Sequence, residues 1–178
     1  MGLSSWRLMF VAYMSVNCGD TLASELGMLS TSPPILITSG KRVAPGQDGG
    51  VTLWGTVAAA LGGVLMAACD LGVVATVGAP DHFVSIQDTL ITCVVSAVVG
   101  STADSLLGAV LQQPAPGAAQ KWQTWKLMNS VVNVVSALVV AGTLLATVSQ
   151  PWLWPVLYGV TLFAFGFPVL ARSKARAE

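Results

Sequence analysis

The nine residues GDTLASELG, Gly19–Gly27, decide how the chain is arranged, because they put two acids into otherwise apolar sequence. Asp20 and Ser24 are four residues apart and share one face of a helix, whereas Glu25 lies off that face. An ionised aspartate at the centre of a bilayer costs about 2.5–3.5 kcal/mol, so such residues usually face the interior of a helical bundle. The stretch therefore predicts an inward-facing membrane helix, with Glu25 turned toward its cytoplasmic end.

The composition of the chain around this stretch is that of a membrane protein. Of its 178 residues, 54% are hydrophobic and 9% are charged, against roughly 25% charged residues in an ordinary soluble domain. Eight basic residues balance eight acidic ones, so the net charge is zero. This balance indicates no nucleic-acid partner and no polybasic arm for binding a membrane surface.

Five apolar stretches are long enough to span a bilayer, which takes about 20 residues of helix. Segments containing proline and glycine separate most of them. The predicted fold is an all-α, polytopic helical bundle that forms one transmembrane domain over residues 1–178. Its predicted spans cover residues 6–28, 51–75, 84–111, 127–149 and 152–171.

The basic residues indicate the orientation of this bundle, because lysine and arginine near helix ends stay on the cytoplasmic side. Seven of the eight lie in the first loop, the third loop or the C-terminal tail, which alternate along the chain and so share one side. The N-terminus is therefore predicted outside and the C-terminus in the cytoplasm or its equivalent. Arg7 is the exception to this pattern.

A weak internal repeat relates the first span to the third. GDTLASELG at Gly19 resembles GSTADSLLG at Gly100, with five matches in nine positions. The acid moves from Asp20 in the first copy to Asp104 in the second, a three-residue step that keeps it near the same helix face. Because the two spans run in the same direction, the repeat predicts that both carboxylates face one site in the cytoplasmic half of the membrane.

The following loop, GKRVAPGQDGG at Gly40–Gly50, has features that suit an anion. Its glycines let backbone N–H groups turn toward a phosphate, and Lys41 with Arg42 can pair with one. Carboxylates and hydroxyls without cysteine or histidine suit a hard cation such as Mg²⁺, which takes one or two carboxylates and shares phosphate oxygens with a substrate. The predicted substrate-binding residues of the first span and this loop are Ser24, Glu25, Gly46, Asp48, Gly49 and Gly50.

Two amides add to the polar residues on this side of the membrane. Asn129 and Asn133, at the start of the fourth span, are spaced as one face of a helix. Each feature also has a purely structural interpretation, since a basic loop sets topology, an asparagine stripe bonds helices together, and an acid can pair with a neighbour. Their convergence on one side favours a site for a metal ion and a phosphate.

The residues from 19 to 56, GDTLASELGMLSTSPPILITSGKRVAPGQDGGVTLWGT, resemble the signature of the transmembrane protein 19 family. These are integral membrane proteins that include the plant phytyl-phosphate kinase. The stretches GSTADSLLGAVLQ, residues 100–112, and NSVVNVVS, residues 129–136, fall where two downstream signatures of the family are expected. The order GD, Ser, KR, PG and GG is more loosely similar to membrane cytidylyltransferases and polyprenol kinases, which use CTP.

This resemblance implies a membrane enzyme that transfers a phosphoryl group from a nucleotide triphosphate, which on the looser likeness is CTP, to an isoprenoid phosphate such as phytyl or prenyl phosphate. By position, Asp20 and Asp104 would hold Mg²⁺, while Lys41 and Arg42 would bind the nucleotide phosphates. These four are the predicted catalytic residues. The asparagine pair of the fourth span would line the site, and the lipid tail would lie among the helices.

Two other functions stay open. Intramembrane acids also mark ion paths, so a transporter or channel is the first alternative. The second is a non-catalytic membrane protein, because family members have further helices ahead of the GDT block and truncation at the N-terminus is expected here. The predicted location is a multi-pass integral membrane protein in an unassigned organelle, with the endoplasmic reticulum and the plastid envelope both open, and a homo-oligomer is also left open.

Overall fold

Three helices form the described part of the protein. The structure, a computed structural model, describes residues 3–77 and 86–111, together with residues 131, 133–135, 137 and 140. The helices are α1 (Leu3–Gly27), α2 (Leu53–Val77) and α3 (Ile86–Leu111). Each bound lies within three residues of the first three predicted spans. The helical fold class is confirmed, while most of the fourth predicted span and the whole of the fifth lie outside the described residues.

Among the described helices, α2 and α3 are the two that are long and apolar enough to cross a membrane. The helix α1 is as long as α2, with 25 residues, but it includes Arg7, Asp20 and Glu25. Large apolar side chains such as Leu61 and Leu65 of α2 are more than half exposed on the protein surface. Such a surface suits a lipid environment, where apolar side chains need no cover from water.

The three helices pack against one another with α1 parallel to α3 and α2 antiparallel to both. All three pairs of helices are in contact. One apolar cluster joins Val11, Ala67 and Cys93, and a second cluster joins Ala23, Ala59 and Val98. Between the first cluster and the second, the residue numbers rise in α1 and α3 and fall in α2. The parallel direction of α1 and α3 agrees with the prediction that the two spans carrying the repeat run in the same direction.

A stripe of small residues allows α2 to pack closely. Gly55, Ala59, Gly63 and Ala67, spaced four apart, are all buried in the described structure. Their neighbours are α1 and α3 of the same chain; Gly55 lies against Gly27, for example. The stripe therefore serves helix packing within the chain, because small side chains let the backbones of neighbouring helices approach closely.

A short antiparallel strand pair interrupts the first loop, which the all-α prediction did not include. β1 (Ile35–Leu36) pairs with β2 (Gly50–Val51), with Ile35 opposite Val51. The chain also turns back on itself beside β1, where the Leu36 N–H donates to the Lys41 carbonyl oxygen at 2.8 Å. Two-residue strands are too short to show an alternating pattern, so sequence periodicity does not reveal them.

An ion pair joins α1 to α2 at the end of the bundle far from this loop. The Arg7 guanidinium donates two hydrogen bonds to the Asp70 carboxylate, one of them from Nε to Oδ1 at 3.0 Å. The side chains are 25% and 12% exposed. Pairing offsets the cost of placing charge among apolar helices. The ion pair with Asp70 thus gives a structural reason for the presence of Arg7, the one basic residue that does not lie on the predicted cytoplasmic side.

We expect Asp70→Asn to destabilise the bundle because it leaves the Arg7 charge without its carboxylate partner. Breaking a buried pair costs about 3–5 kcal/mol, and the partial exposure of Arg7 puts the expected loss below that range. The double variant Arg7→Met with Asp70→Leu removes both charges and should recover most of the lost thermal stability in detergent. A double variant no more stable than Asp70→Asn would contradict this account of the pair.

Candidate functional site

A cavity of about 360 Å³ lies at the end of the bundle where α1 ends and α2 begins. All three helices line it, together with the loop that contains the strand pair. Asp20 of α1 and Asp104 of α3 both line this cavity. Each is seven residues from the C-terminal end of its helix, which is about 10 Å along the axis. Both carboxylates therefore line one cavity near the loop end of the bundle.

The internal repeat has a structural counterpart. Positions 19–27 and 100–108 lie side by side on the parallel helices α1 and α3, and Gly27 and Gly108, the last residues of the two copies, both line the cavity. Asp20 and Asp104 line the same cavity from these two helices. Their role as metal ligands stays a prediction.

Most of the predicted site residues gather around the same space. The cavity is lined by Asp20, Ser24, Glu25, Gly46, Asp48, Gly49, Gly50 and Asp104 from that set. Asn133 is half-buried and is not among the described lining residues. Asn129 lies outside the described part of the chain. The first span and the loop thus contribute to one site, as the sequence indicated.

Lys41 and Arg42 lie elsewhere. Both are exposed, and neither belongs to the described lining of the cavity. The reason is the chain reversal beside β1, in which Arg42 forms a bridge with Ile35 and the Lys41 carbonyl oxygen accepts from Leu36. The reversal thereby turns Lys41 and Arg42 away from the cavity, although their loop follows the Asp20 stretch in sequence. Nucleotide binding by these two cations stays a prediction.

The glycines of the loop serve its turns. The Gly40 N–H donates to the Leu36 carbonyl oxygen at 2.8 Å, and the Gly50 N–H donates to that of Gln47 at 3.0 Å. These two N–H groups are therefore committed to the loop itself, contrary to the expectation that they turn toward an anion. Gly40, Gly46 and Gly49 have φ values of +69°, +81° and +77°, the left-handed region that glycine tolerates best.

Thr52 begins α2 at the wall of the cavity. Its Oγ1 accepts a hydrogen bond from the Gly55 N–H at 2.9 Å, and its carbonyl oxygen accepts from the Thr56 N–H at 3.0 Å. This is the usual arrangement of a helix N-cap. The Gly55 N–H at this helix end is therefore already satisfied by the chain.

The sequence analysis missed several hydroxyl groups in the lining. Ser101 is 8% exposed, lines the cavity and has its hydroxyl placed to donate to the Asp20 carboxylate. Thr56, Thr102 and Ser105 also line it. The signal for Ser101 was available, because it occupies in the second copy of the repeat the position that Asp20 occupies in the first.

The donor set of the cavity is one of hard oxygen ligands. Four carboxylates line the cavity, those of Asp20, Glu25, Asp48 and Asp104, together with several hydroxyls. Oxygen ligands of this kind suit Mg²⁺, which in proteins keeps several waters and takes one or two carboxylates. Among the described residues, no group of three or more His, Cys, Asp or Glu side chains is arranged to hold a metal ion. The set therefore fits a magnesium ion that shares its coordination with a bound phosphate.

Gly49 secures the loop against α3. A Cβ at this position would lie 2.8 Å from the Ala109 Cα and closer still to the Ala109 Cβ, and its φ is +77°. At Gly46, where φ is +81°, a Cβ would meet nothing within 4 Å. The two glycines thus share a backbone conformation but differ in their surroundings.

We therefore expect Gly49→Ala to lower the melting temperature in detergent more than Gly46→Ala does. Both variants place an alanine in the left-handed backbone region, at a cost of about 1–2 kcal/mol. Gly49→Ala must in addition displace the loop from α3. Gly46→Ala is thus the matched control for the backbone conformation. Equal melting temperatures for the two variants would show that the contact with Ala109 contributes nothing.

Comparison with known proteins gives the family. The family described as integral membrane protein DUF92 matches residues 2–141. A membrane protein of Methanocaldococcus jannaschii is 28% identical over 137 residues, which cover 76% of this chain and 49% of the relative. Protein PGR of Arabidopsis thaliana is 34% identical over 137 residues, which cover 67% and 47%. Protein VTE6, chloroplastic, of Arabidopsis thaliana is 29% identical over 150 residues, which cover 83% and 39%.

The chain spans about half the length of these curated relatives, or less. No solved structure matches it significantly. The family match covers the three described helices and the loop that form the cavity. In agreement with the resemblance to the transmembrane protein 19 family, the chain belongs to the DUF92 family of integral membrane proteins.

Proposed function

We propose that this chain forms the metal- and phosphate-binding site of a membrane phosphoryl transferase that acts on an isoprenoid phosphate. The observation that supports this most is the meeting of Asp20 and Asp104 in one cavity under a glycine-containing loop. Phosphoryl transfer depends on positioning and on neutralising the charge of the phosphate oxygens. The isoprenoid substrate and the nucleotide donor come from the family resemblance.

Mg²⁺ would be held by Asp20 and Asp104, whose carboxylates are hard oxygen ligands that line the cavity from two helices. When bound, the ion supplies positive charge to phosphate oxygens in the cavity. The two aspartates lie on different helices, so the packing of α1 against α3 sets the spacing between them. The protein's own contribution is thus to hold two carboxylates in a fixed relation.

The rest of the cavity would orient the phosphate groups and limit their access to water. Ala59 and Val98, which are 1% exposed, form an apolar wall at its inner end. Met28, which is 51% exposed, lies at its outer edge next to the end of α1. An isoprenoid chain would find apolar surface there while its phosphate reaches the aspartates.

The direct test is phosphoryl transfer by the purified chain in lipid nanodiscs. We expect transfer of the labelled γ-phosphoryl group from a nucleotide triphosphate to an oxygen of phytyl or prenyl phosphate, which leaves the nucleoside diphosphate and the isoprenoid diphosphate. Transfer should require Mg²⁺ and should stop with EDTA. Substrate flux across liposomes without nucleotide, and without any labelled diphosphate, would support the transporter alternative instead.

A further inference from the structure

The helices α1 and α3 approach most closely beside the cavity, through a glycine in each. A Cβ on Gly19 would lie 2.7 Å from the Cβ of Ala97, and a Cβ on Gly100 would lie 2.9 Å from the Cβ of Val16. A side chain at either position would therefore push the helices apart. In each helix, the residue after this glycine is polar: Asp20 in α1 and Ser101 in α3.

This close approach brings Ser101 to Asp20. Both line the cavity, and the Ser101 hydroxyl is placed to donate to the Asp20 carboxylate. They are also equivalent positions of the repeat, since 101 − 20 and 100 − 19 are both 81. The pairs Gly19–Asp20 and Gly100–Ser101 thus have the same arrangement. In each pair the glycine lets α1 and α3 approach closely, and the polar residue after it lies next to the other helix.

Other hydroxyls nearby bond within their own helices. The Thr102 hydroxyl donates to the Val98 carbonyl oxygen at 2.7 Å, and that of Ser96 donates to the Thr92 carbonyl oxygen at 2.6 Å. Ser101 differs because the acceptor that it is placed to reach is a carboxylate on another helix. A serine hydroxyl has a single hydrogen to donate, so a bond to Asp20 would engage one carboxylate oxygen and leave the other for a different ligand.

We infer that Ser101 is a positioning residue, which holds the Asp20 carboxylate in the orientation that binds a divalent cation. This inference rests on the proposed function, because it assumes that Asp20 is a cation ligand. Groups that hydrogen-bond a ligating carboxylate fix its orientation, and their loss typically weakens metal binding or activity about 10–100-fold. A buried serine with a purely structural role has no such effect.

The test compares Ser101→Ala with Ser96→Ala, a matched buried serine on the same helix. Mn²⁺ serves as the probe, and its binding to the full chain in nanodiscs is measured by electron paramagnetic resonance. We expect Ser101→Ala to weaken Mn²⁺ binding about tenfold or more and to raise the Mg²⁺ concentration needed for half-maximal transfer. Ser96→Ala should leave both quantities unchanged.

Two further variants separate positioning from folding. Ser101→Thr keeps the hydroxyl and should restore Mn²⁺ binding to near the wild-type level. Ser101→Cys keeps the volume but replaces the hydroxyl by a weak donor, so it should bind Mn²⁺ as weakly as Ser101→Ala while melting near the wild-type temperature. If Ser101→Cys and Ser101→Ala bind Mn²⁺ like the wild type, the positioning role is overturned.

Asp20→Asn distinguishes the failure of this inference from the failure of the proposed function. If Asp20→Asn abolishes Mn²⁺ binding and Ser101→Cys does not weaken it, the positioning role of Ser101 alone is wrong. If Asp20→Asn binds Mn²⁺ and transfers phosphoryl groups like the wild type, the proposed function is wrong and this inference fails with it.

Discussion

Replacement of Asp20 by Asn is expected to lower phosphoryl transfer by about 100-fold or more, because it removes a carboxylate that would hold the cation that neutralises the phosphate charge. Asparagine has nearly the same shape, so the cavity wall is preserved. The stability of the bundle should not fall, since the change removes a charge from among apolar helices. The measurements are the rate of label transfer and the melting temperature in detergent.

The corresponding change at the second acid, Asp104→Asn, should have a similar effect. If Asp20 and Asp104 hold the same cation, the double variant should be hardly worse than either single variant, because effects of residues that act as a unit are not additive. Asp88→Asn is the matched control, since Asp88 lies in the first turn of α3, at the opposite end from the cavity. Full activity in Asp20→Asn would remove the proposed centre of the site.

Substitution of Gly63 by Ala is expected to give the largest loss of stability among the single changes in α2. A Cβ there would lie 2.6 Å from the Cα of Val94 and 2.7 Å from the carbonyl oxygen of Cys93, both in the backbone of α3. Backbone atoms cannot move aside as a flexible side chain can, so the helices must separate. Overpacking of this kind typically costs about 1–3 kcal/mol, and a lower melting temperature in detergent would report it.

Gly72→Ala is the control for this change, because it lies on the same helix and a Cβ there meets nothing within 4 Å. Alanine is favoured over glycine within a helix by roughly 0.5–1 kcal/mol, so Gly72→Ala should be as stable as the wild type or slightly more so. Changes of opposite sign in the melting temperature at two glycines of one helix would show that the loss at Gly63 comes from its contact with α3. Equal melting temperatures would show that α2 and α3 are not packed as closely as described.

The sequence predicted the three described helices to within three residues because the length and apolarity of a span are local properties. It also predicted that Asp20 and Asp104 face one cavity, since an internal repeat on two parallel helices places the two stretches side by side, and both acids line that cavity. By contrast, it grouped Lys41 and Arg42 with the acids because all of them fall on one side of the predicted topology and because the family resemblance implies a shared site. The reversal beside β1 depends on a few backbone contacts between single residues, and so short a segment shows no periodic pattern in the sequence.

The sequence by itself therefore determined that this is a helical membrane protein of the DUF92 family with paired acids in two repeated stretches. The tertiary structure alone decided which polar groups are partners: Arg7 with Asp70, and Ser101 with Asp20. These pairs join residues 63 and 81 positions apart in the chain. Periodicity and composition describe one helix at a time, whereas such pairs depend on how closely the glycines let separate helices approach.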